Sequence, residues 1–410
     1  MGNLRFPRPE KTDFPPTERK EWIFKPVSQT SGSEKKQARN LKLLKSGNIL
    51  INYVYQNRDD LIVKSYLSIY KIPKLEIVEE YIFQKEEEDD DIIYYIEPVS
   101  QTQEGNIFMI SDALYMFKGE SISEGPNIEG EKIDDLHLNT EQGIFYYSSD
   151  VDGKNPVYKK MKSFNCHNLL EVKKGLFLYT NLACNSMFKL DLSKTTITKK
   201  IFYEHPLKHN EGVRSCCINM LSISKYYPEN LYFCVNICKR GGGEDLFSAE
   251  FYCFNIENFI KGNKEPLYMI NVSKSQNIYG FCEYDKKYIL LDSYANGIYI
   301  IDIELKQKVA VSVPKFFYKN SYSINIYSDR KSGHGTYYRN IHKLKDGQVL
   351  IMGNVVDIRE QKGKEIGLKI YFTRTVYSGN YLISLLRDTS LNTYKICEKG
   401  QEENEEEEEE

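Results

Sequence analysis

The stretch Gly47-Asn-Ile-Leu-Ile-Asn52 decides the fold, because its pattern returns throughout the chain. It is a turn residue followed by a short run of β-branched, aliphatic or aromatic residues, which favours an extended strand. Copies of the pattern start at Gly47, Gly105, Gly143, Gly175, Asn230, Lys287 and Gly347. Self-similarity at intervals of 32 to 60 residues indicates an architecture that repeats one β unit.

Each copy is followed by a second extended run, so each pair predicts a hairpin. The second runs begin near Tyr66, Ala113, Val157, Met187, Phe251, Ile298 and Leu368. In the first and seventh units, further apolar stretches (40–44 and 75–83; 340–344 and 381–386) raise the strand number to four, the composition of a propeller blade. The sequence therefore predicts an all-β fold, a single β-propeller of seven blades with four-stranded antiparallel sheets. A pair of β-sandwiches is the alternative.

The composition fits a β-rich globular chain. Its 410 residues are 41% hydrophobic and include 32 Tyr and 20 Phe, residue types that pack well on sheets. Because no run of about 18 apolar residues is present, we expect no membrane span. The start lacks an apolar signal core, so we expect a cytoplasmic location, with a nuclear location as the alternative. Nine cysteines without a CxxC pair are expected to be reduced core thiols.

The chain divides into three predicted parts. Residues 1–38 are basic and interrupted by five prolines, which predicts a flexible arm. Within this arm, Trp22-Ile-Phe24 is the stretch that is able to pack on the body or add a strand to it. Residues 39–400 form the predicted propeller, and residues 401–410 form a predicted disordered acidic tail.

Charge is concentrated in blocks, although the net charge is only -3. The tail from Glu402 to Glu410 contains eight glutamates, and Glu86 to Asp91 form a second acidic run. Such runs repel themselves and are ordinarily solvated. The functional alternative is that the tail captures a basic partner.

The connector between the sixth and seventh units has the composition of a binding surface. Residues 315–339 contain five Lys or Arg against one Asp, interleaved with seven Tyr or Phe. The predicted partner-binding residues are Lys315, Lys319, Arg330, Lys331, His334, Tyr337, Tyr338 and Arg339. Such residues anchor protein partners or stack the bases of single-stranded RNA. A sequence pI of about 6.2 favours a protein partner. The structural alternative is that the aromatic residues are strand faces.

A second, glycine-rich segment predicts either an anion site or a plain hairpin tip. Arg240, Gly241, Gly242 and Gly243 lie between two extended runs. Consecutive backbone N–H groups can form a nest for an anion, whereas glycines between strands often make only a turn.

No catalytic motif is present, and we expect neither a cofactor nor a metal. The chain has no Gly-x-Ser-x-Gly elbow and no Walker loop. His205 and His209 are separated by Pro206, which argues against a helical ligand pair. The alternative function is a hydrolase or lactonase-like enzyme with a metal or carboxylates at the channel mouth. Its carboxylate-rich loops would contain Asp134, Asp135, His137, Asp150 and Asp152.

Three stretches resemble the third strand of a WD repeat, in which an apolar residue precedes Asp. They are Met187-Phe-Lys-Leu-Asp191, Tyr299-Ile-Ile-Asp302 and, more loosely, Phe254-Asn-Ile-Glu257. The chain thus resembles a degenerate WD-repeat-like propeller over about residues 40–400. This resemblance implies a non-catalytic scaffold that holds protein partners in an intracellular complex.

Overall fold

A computed structural model describes twenty-one stretches of the chain. They are residues 21–32, 36–56, 63–84, 97–110, 114–117, 119–122, 145–149, 156–160, 168–180, 186–191, 201–206, 213–241, 244–273, 278–293, 297–312, 341–344, 347–351, 354–357, 362–365, 374–385 and 390–399. These residues form twenty-nine strands and one short helix, and the strands fall into eight antiparallel sheets. The predicted all-β class, built from four-stranded antiparallel sheets, is confirmed.

The sheets belong to two compact units. The five-sheet unit holds sheet 1 (β2 Lys36–Leu43, β3 Ile49–Gln56, β4 Val63–Lys71, β5 Glu76–Gln84), sheet 2 (β6 Glu97–Gln101, β7 Ile107–Ile110, β8 Leu114–Phe117), sheet 3 (β9 Phe145–Ser149, β10 Pro156–Lys160), sheet 4 (β11 Asn168–Lys173, β12 Leu176–Thr180, β13 Ser186–Asp191, β14 Ile201–Glu204) and sheet 8 (β27 Arg374–Ser378, β28 Tyr381–Leu385, β29 Leu391–Glu398 and β1 Trp22–Gln29).

The three-sheet unit is built from the middle of the chain. It holds sheet 5 (β15 Val213–Ile223, β16 Asn230–Gly241, β17 Glu244–Asn255, β18 Tyr268–Ser273), sheet 6 (β19 Ile278–Glu283, β20 Tyr288–Ser293, β21 Gly297–Asp302, β22 Gln307–Ser312) and sheet 7 (β23 Ile341–Lys343, β24 Val349–Ile351, β25 Asn354–Asp357, β26 Lys362–Glu365). The helix α1, Ile256–Ile260, follows β17 and is capped by the Asn255 side chain.

Within each unit, neighbouring sheets stack with their first strands together. In the five-sheet unit, β27 contacts β2, β2 contacts β6, and β6 contacts β11. In the three-sheet unit, β15 contacts β19, and β19 contacts β23. The first strand is therefore the inner strand of a sheet and the last strand is the outer one, which is how propeller blades are arranged.

Apolar side chains fill the space between stacked sheets. Ile49, Ile51 and Tyr53 of sheet 1 pack with Ile383 and Leu385 of sheet 8. A second cluster joins sheets 5 and 6, and it contains Tyr232, Cys234, Phe251, Cys253, Ile278, Ile289, Leu291, Tyr299 and Ile301. Burial of these strand faces against each other is the main driving force for the stacking.

The repeated turn that precedes the second strand explains the sequence period. Leu44 N–H donates to the carbonyl of Asn48, and Gly47 N–H donates to the carbonyl of Leu44. The same pair of bonds recurs in sheets 2 and 7. Gly47 has a φ of 89°, in the left-handed region that favours glycine. The turn glycines of the sequence pattern thus mark real and equivalent turns.

The third predicted unit is not a blade between its neighbours in sequence. Its strands form the two-stranded sheet 3, and sheet 4 packs directly on sheet 2. The rings of Phe108 and Phe177 meet edge to face with centroids 5.0 Å apart. The described residues form eight sheets, six of which have four strands, and the number of blades stays a prediction.

Sheet 8 joins a strand near the start of the chain to strands near its end. Residues 381–386 were assigned to the seventh unit, but β28 pairs with β27 and β29 instead. β1 pairs antiparallel with β29, from Trp22↔Glu398 to Gln29↔Asn392. Trp22-Ile-Phe24 therefore adds a strand to the body, although it lies within the predicted arm 1–38. Residues 1–20 and the tail 401–410 lie outside the described residues.

One further strand prediction is corrected. The partner of β24 is β25, beginning at Asn354, and not a strand near Leu368, because only two residues separate Ile351 from Asn354 and a two-residue connection forms a tight hairpin. Among the described residues, no helix is long and apolar enough to cross a membrane.

Candidate functional site

The antiparallel order gives each four-stranded sheet two different ends. At the turn end, the first strand turns into the second, and in every four-stranded sheet except sheet 8 the third turns into the fourth. At the connector end, the second strand passes to the third, and the chain leaves for the next sheet. Hydrogen bonds join sheets 5 and 6 at both ends, by Asn236 to Ile278 and by Glu283 to Lys225. The connector ends of these two sheets therefore lie side by side.

Sheet 5 projects beyond sheet 6 at the connector end. β16 and β17 pair over twelve residues, down to Gly241↔Glu244, whereas β20 and β21 pair over six. Asn236 lies level with Ile278, the first residue of β19. The pairs from Ile237 to Gly241 therefore extend past sheet 6 by about 17 Å, at about 3.4 Å per residue. We call this extension, residues 237–247, the projecting hairpin.

Buried polar contacts fix the base of the projecting hairpin. The Asn236 side-chain amide donates to the Ile278 carbonyl at 2.9 Å, and its Oδ1 accepts the Ile278 N–H at 2.8 Å. The Tyr299 hydroxyl donates to Oγ of Ser273 at 3.1 Å, and Lys308 Nζ donates to the Val272 carbonyl at 2.9 Å. The last residue of β18 and the first of β19 are thus held in place.

The backbone register of the projecting hairpin pairs Arg240 with Asp245 and Gly241 with Glu244. Gly242 and Gly243 lie outside the described residues, so anion binding stays a prediction.

The predicted partner-binding residues lie outside the described residues. Lys315, Lys319, Arg330, Lys331, His334, Tyr337, Tyr338 and Arg339 all belong to the segment between β22 and β23. This segment leaves sheet 6 after Ser312 and enters sheet 7 at Ile341, and both residues are at connector ends. The two segments predicted from sequence are therefore attached at the same end of the three-sheet unit.

The described residues hold little that could bind a metal. No group of three or more His, Cys, Asp or Glu with a suitable arrangement occurs among them. His205 is buried at 1% exposure, and His209 lies outside the described part. Asp134, Asp135, His137, Asp150 and Asp152 lie outside it as well.

The described cysteines are free thiols, and Cys216, Cys234, Cys238 and Cys253 are buried. Burial raises the pKa of Cys216 and Cys253 to about 12 and the pKa of Cys282 to about 11. Burial also raises the pKa of Cys234. A thiol that stays protonated near neutral pH is a poor nucleophile and a poor metal ligand, so these groups serve packing.

Two of the three stretches that resemble WD repeats lie on third strands, as predicted, whereas Phe254-Asn-Ile-Glu257 leaves β17 after Asn255 and enters α1. Asp191 ends β13 and Asp302 ends β21. Asp302 is buried, and its Oδ1 accepts the N–H groups of Glu304 and Leu305 at 3.0 and 2.9 Å. Its Oδ2 lies 3.6 Å from Lys287 Nζ. Asp302 therefore shapes the turn between the third and fourth strands.

The sequence analysis missed a set of side chains that bridge stacked sheets at the turn end. Gln101 Oε1 accepts the Lys45 N–H at 3.0 Å, and Glu171 Oε2 accepts the Gln103 N–H at 2.6 Å. Glu283 accepts from Ser224 Oγ and from the Lys225 N–H, both at 2.5 Å.

Lys343 occupies the equivalent position in sheet 7 and carries a positive charge. Its Nζ donates to the Tyr284 carbonyl at 2.7 Å. We call Gln101, Glu171, Glu283 and Lys343 the bridging residues. Three of them stand four residues before a turn glycine, at 105, 175 and 347, and an alignment of the repeats on those glycines would have revealed them.

Comparisons with known proteins leave the chain without a family. No protein-family model matches it, and no curated protein matches it. Among solved structures, it is similar to the WD40 beta propeller domain of Doa1, at 8% sequence identity and a TM-score of 0.34. That similarity covers 94% of this chain and 96% of the other. The fold assignment rests on the strand pairing described above.

Proposed function

We propose that the chain is a non-catalytic scaffold that binds protein partners at the connector end of its three-sheet unit. One observation carries this proposal. The basic and aromatic segment 313–340 and the projecting hairpin are both attached at that end, next to strands fixed by Asn236 and Tyr299. A rigid base lowers the entropic cost that a binding surface meets when it captures a partner.

The residue types in the segment favour a protein as the partner. Arg and Tyr are enriched among residues that dominate protein–protein binding energy, because they combine a large contact area with polar groups. The sequence pI of about 6.2 is lower than that of dedicated nucleic-acid binders. No described residue set favours the hydrolase alternative, so we propose no reaction.

The proposal is tested by replacing Arg330, Lys331, Tyr337 and Arg339 together by Ala in the full chain. Affinity purification from cells should lose at least one partner that the parent protein retains. The melting temperature should change little, because surface replacements usually alter stability by less than about 0.5 kcal/mol.

A matched control replaces two exposed lysines at the turn end, Lys261 and Lys286. This variant should keep every partner of the parent. If the quadruple variant also keeps every partner, the connector end is not the binding surface. If the quadruple variant instead loses bound RNA, and the affinity of the parent for RNA falls steeply as salt is raised, the segment binds RNA phosphates rather than a protein.

A further inference from the structure

We infer that the outer edge of β5 binds an extended, basic segment of a partner protein by strand addition. This surface belongs to sheet 1 in the five-sheet unit, and the inference stands independently of the connector-end proposal. Strand addition requires an accessible edge, side chains that favour a partner, and a strand held in place before binding.

β5 is an unusually long outer strand. It covers nine residues, Glu76–Gln84, and ends the order of its sheet. The other outer strands of the four-stranded sheets are shorter in the described residues, from four residues in β14 and β26 to eight in β1. Proteins normally protect edges by making them short or by placing Lys or Pro on them. β1 contains Lys25 and Pro26, whereas β5 contains neither residue type.

β5 also exposes large apolar side chains to water. Ile77 is 58% exposed, Val78 is 51% exposed and Ile82 is 48% exposed. These three account for three of the eight large hydrophobic side chains that are exposed in the described part of the chain. Alternate side chains of an added strand would cover such positions and remove them from water.

The strand is anchored through two neighbouring acidic residues. Glu79 Oε2 accepts the N–H of Ile122, which follows sheet 2, at 2.5 Å. Glu80 Oε2 accepts from the Tyr53 hydroxyl at 3.1 Å and from Ser68 Oγ at 3.0 Å. These bonds hold β5 from both sides without using its outer edge, so the edge is organised before a partner arrives.

Charge defines the chemistry of the occupant. β5 contains Glu76, Glu79 and Glu80 and no Lys or Arg. A second copy of β5 would bring these acidic residues together, which disfavours self-pairing. The complementary occupant is an extended segment that alternates Lys or Arg with β-branched residues. Its cations would offset the negative charge of β5, and its apolar residues would cover Ile77 and Ile82.

The test uses a fluorescently labelled, acetylated peptide of the sequence Lys-Val-Lys-Ile-Lys-Val-Lys and the full-length protein. Fluorescence anisotropy should show binding that weakens as salt is raised. The double variant Ile77→Lys and Ile82→Lys should bind at least tenfold more weakly, because it removes both apolar contacts and repels the peptide. A version of the peptide with alternate N-methylated amides should also lose binding, since it lacks the donors for strand pairing.

The matched control introduces the same two changes at another outer strand, β18, and at the residue just before it. Leu267→Lys with Met269→Lys alters residues that are 52% and 42% exposed at sheet 5, and this variant should bind like the parent. Equal affinity of the two double variants would overturn the inference, as would unchanged binding of the N-methylated peptide. Tighter binding after deletion of residues 1–20 would also overturn it, because the chain's own basic segment would then occupy the edge.

Discussion

A single side-chain position joins one sheet to the next at the turn end. Glu171 and Glu283 accept a backbone N–H from the preceding sheet in their stack, and Gln101 does the same with an amide oxygen. Lys343 contacts the equivalent peptide group of the preceding sheet, the one between Tyr284 and Asp285. It donates to the carbonyl of this group, whereas the other three accept from the N–H. Bonds to an ionised group are the stronger ones, so these side chains fix the spacing of stacked sheets.

Replacing Glu283 by Ala should therefore destabilise the protein by about 1–2 kcal/mol, because Ser224 Oγ and the Lys225 N–H both lose a charged acceptor. Urea unfolding measures this change. Glu304→Ala is the control, since Glu304 is 63% exposed and lies 4.0 Å from Lys287; it should cost less than about 0.5 kcal/mol. Equal effects of the two changes would show that Glu283 does not link the sheets.

Glu120 should make the stability of the protein depend on pH. Burial acts to raise the pKa of Glu120, but hydrogen bonds from Ser46 and Gln101 outweigh it and hold the pKa below the usual 4.5. The ionised form therefore stabilises the folded state above about pH 4.5, and this contribution disappears as the pH falls through the folded-state pKa. Glu120→Gln should lower the free energy of unfolding at neutral pH, and its difference from the parent should shrink in acid. A difference that stays constant with pH would contradict this assignment.

The buried thiols should be unreactive in the folded protein. Because burial raises the pKa values of Cys216, Cys234, Cys253 and Cys282, iodoacetamide near neutral pH should label them only after denaturation. Peptide mass spectrometry measures the labelling at each site. Cys397, which is partly exposed, serves as the internal reference. Rapid labelling of Cys234 in the native protein would mean that the core between sheets 5 and 6 opens readily.

The sequence predicted the roles of some of these residues and not of others. The packing role of the cysteines followed from composition, and Asp302 was placed correctly at the end of a third strand. The bridging residues could not be recognised as a set, because Gln, Glu and Lys share no pattern of hydropathy. What they share is a position relative to a turn, which becomes visible only when the repeats are aligned on their glycines.

At the scale of strands, the pairing of β1 with β29 joins the start of the chain to its end. Seven residue pairs connect the two strands, with an irregularity between Pro26 and Ser28. The prolines of residues 1–38 predicted an arm, and Pro26 is indeed tolerated because β1 is an outer strand. The isolated Trp22-Ile-Phe24 triplet was the sequence signal for this strand.

Removing β1 should destabilise the whole chain. Deletion of residues 1–29 leaves β29 as an unpaired edge and removes about one net hydrogen bond per residue pair, so we expect a loss of about 3–5 kcal/mol. Deletion of residues 1–20 is the matched control and should leave the melting temperature nearly unchanged. Equal melting temperatures for the two truncated proteins, measured by calorimetry, would show that β1 does not stabilise sheet 8.

At the scale of the whole molecule, the repeat in the sequence correctly indicated an all-β chain of successive antiparallel sheets. It failed where the repeat was incomplete. The pattern at Gly143 predicted a blade, but among the described residues β9 and β10 pair only with each other, and sheet 4 packs on sheet 2. Residues 379–385 carry the same signal, a turn glycine before the apolar strand β28, but they were assigned to the seventh unit, whereas the fourth strand of their sheet comes from the start of the chain.

Hydrogen–deuterium exchange measures directly whether the connector end of the three-sheet unit binds a partner protein. The full-length protein is compared with and without a partner recovered by affinity purification. Protection from exchange should rise in residues 313–340 and in the projecting hairpin, residues 237–247. Protection confined to the turn end, around Lys45, Lys225 and Tyr284, would contradict it.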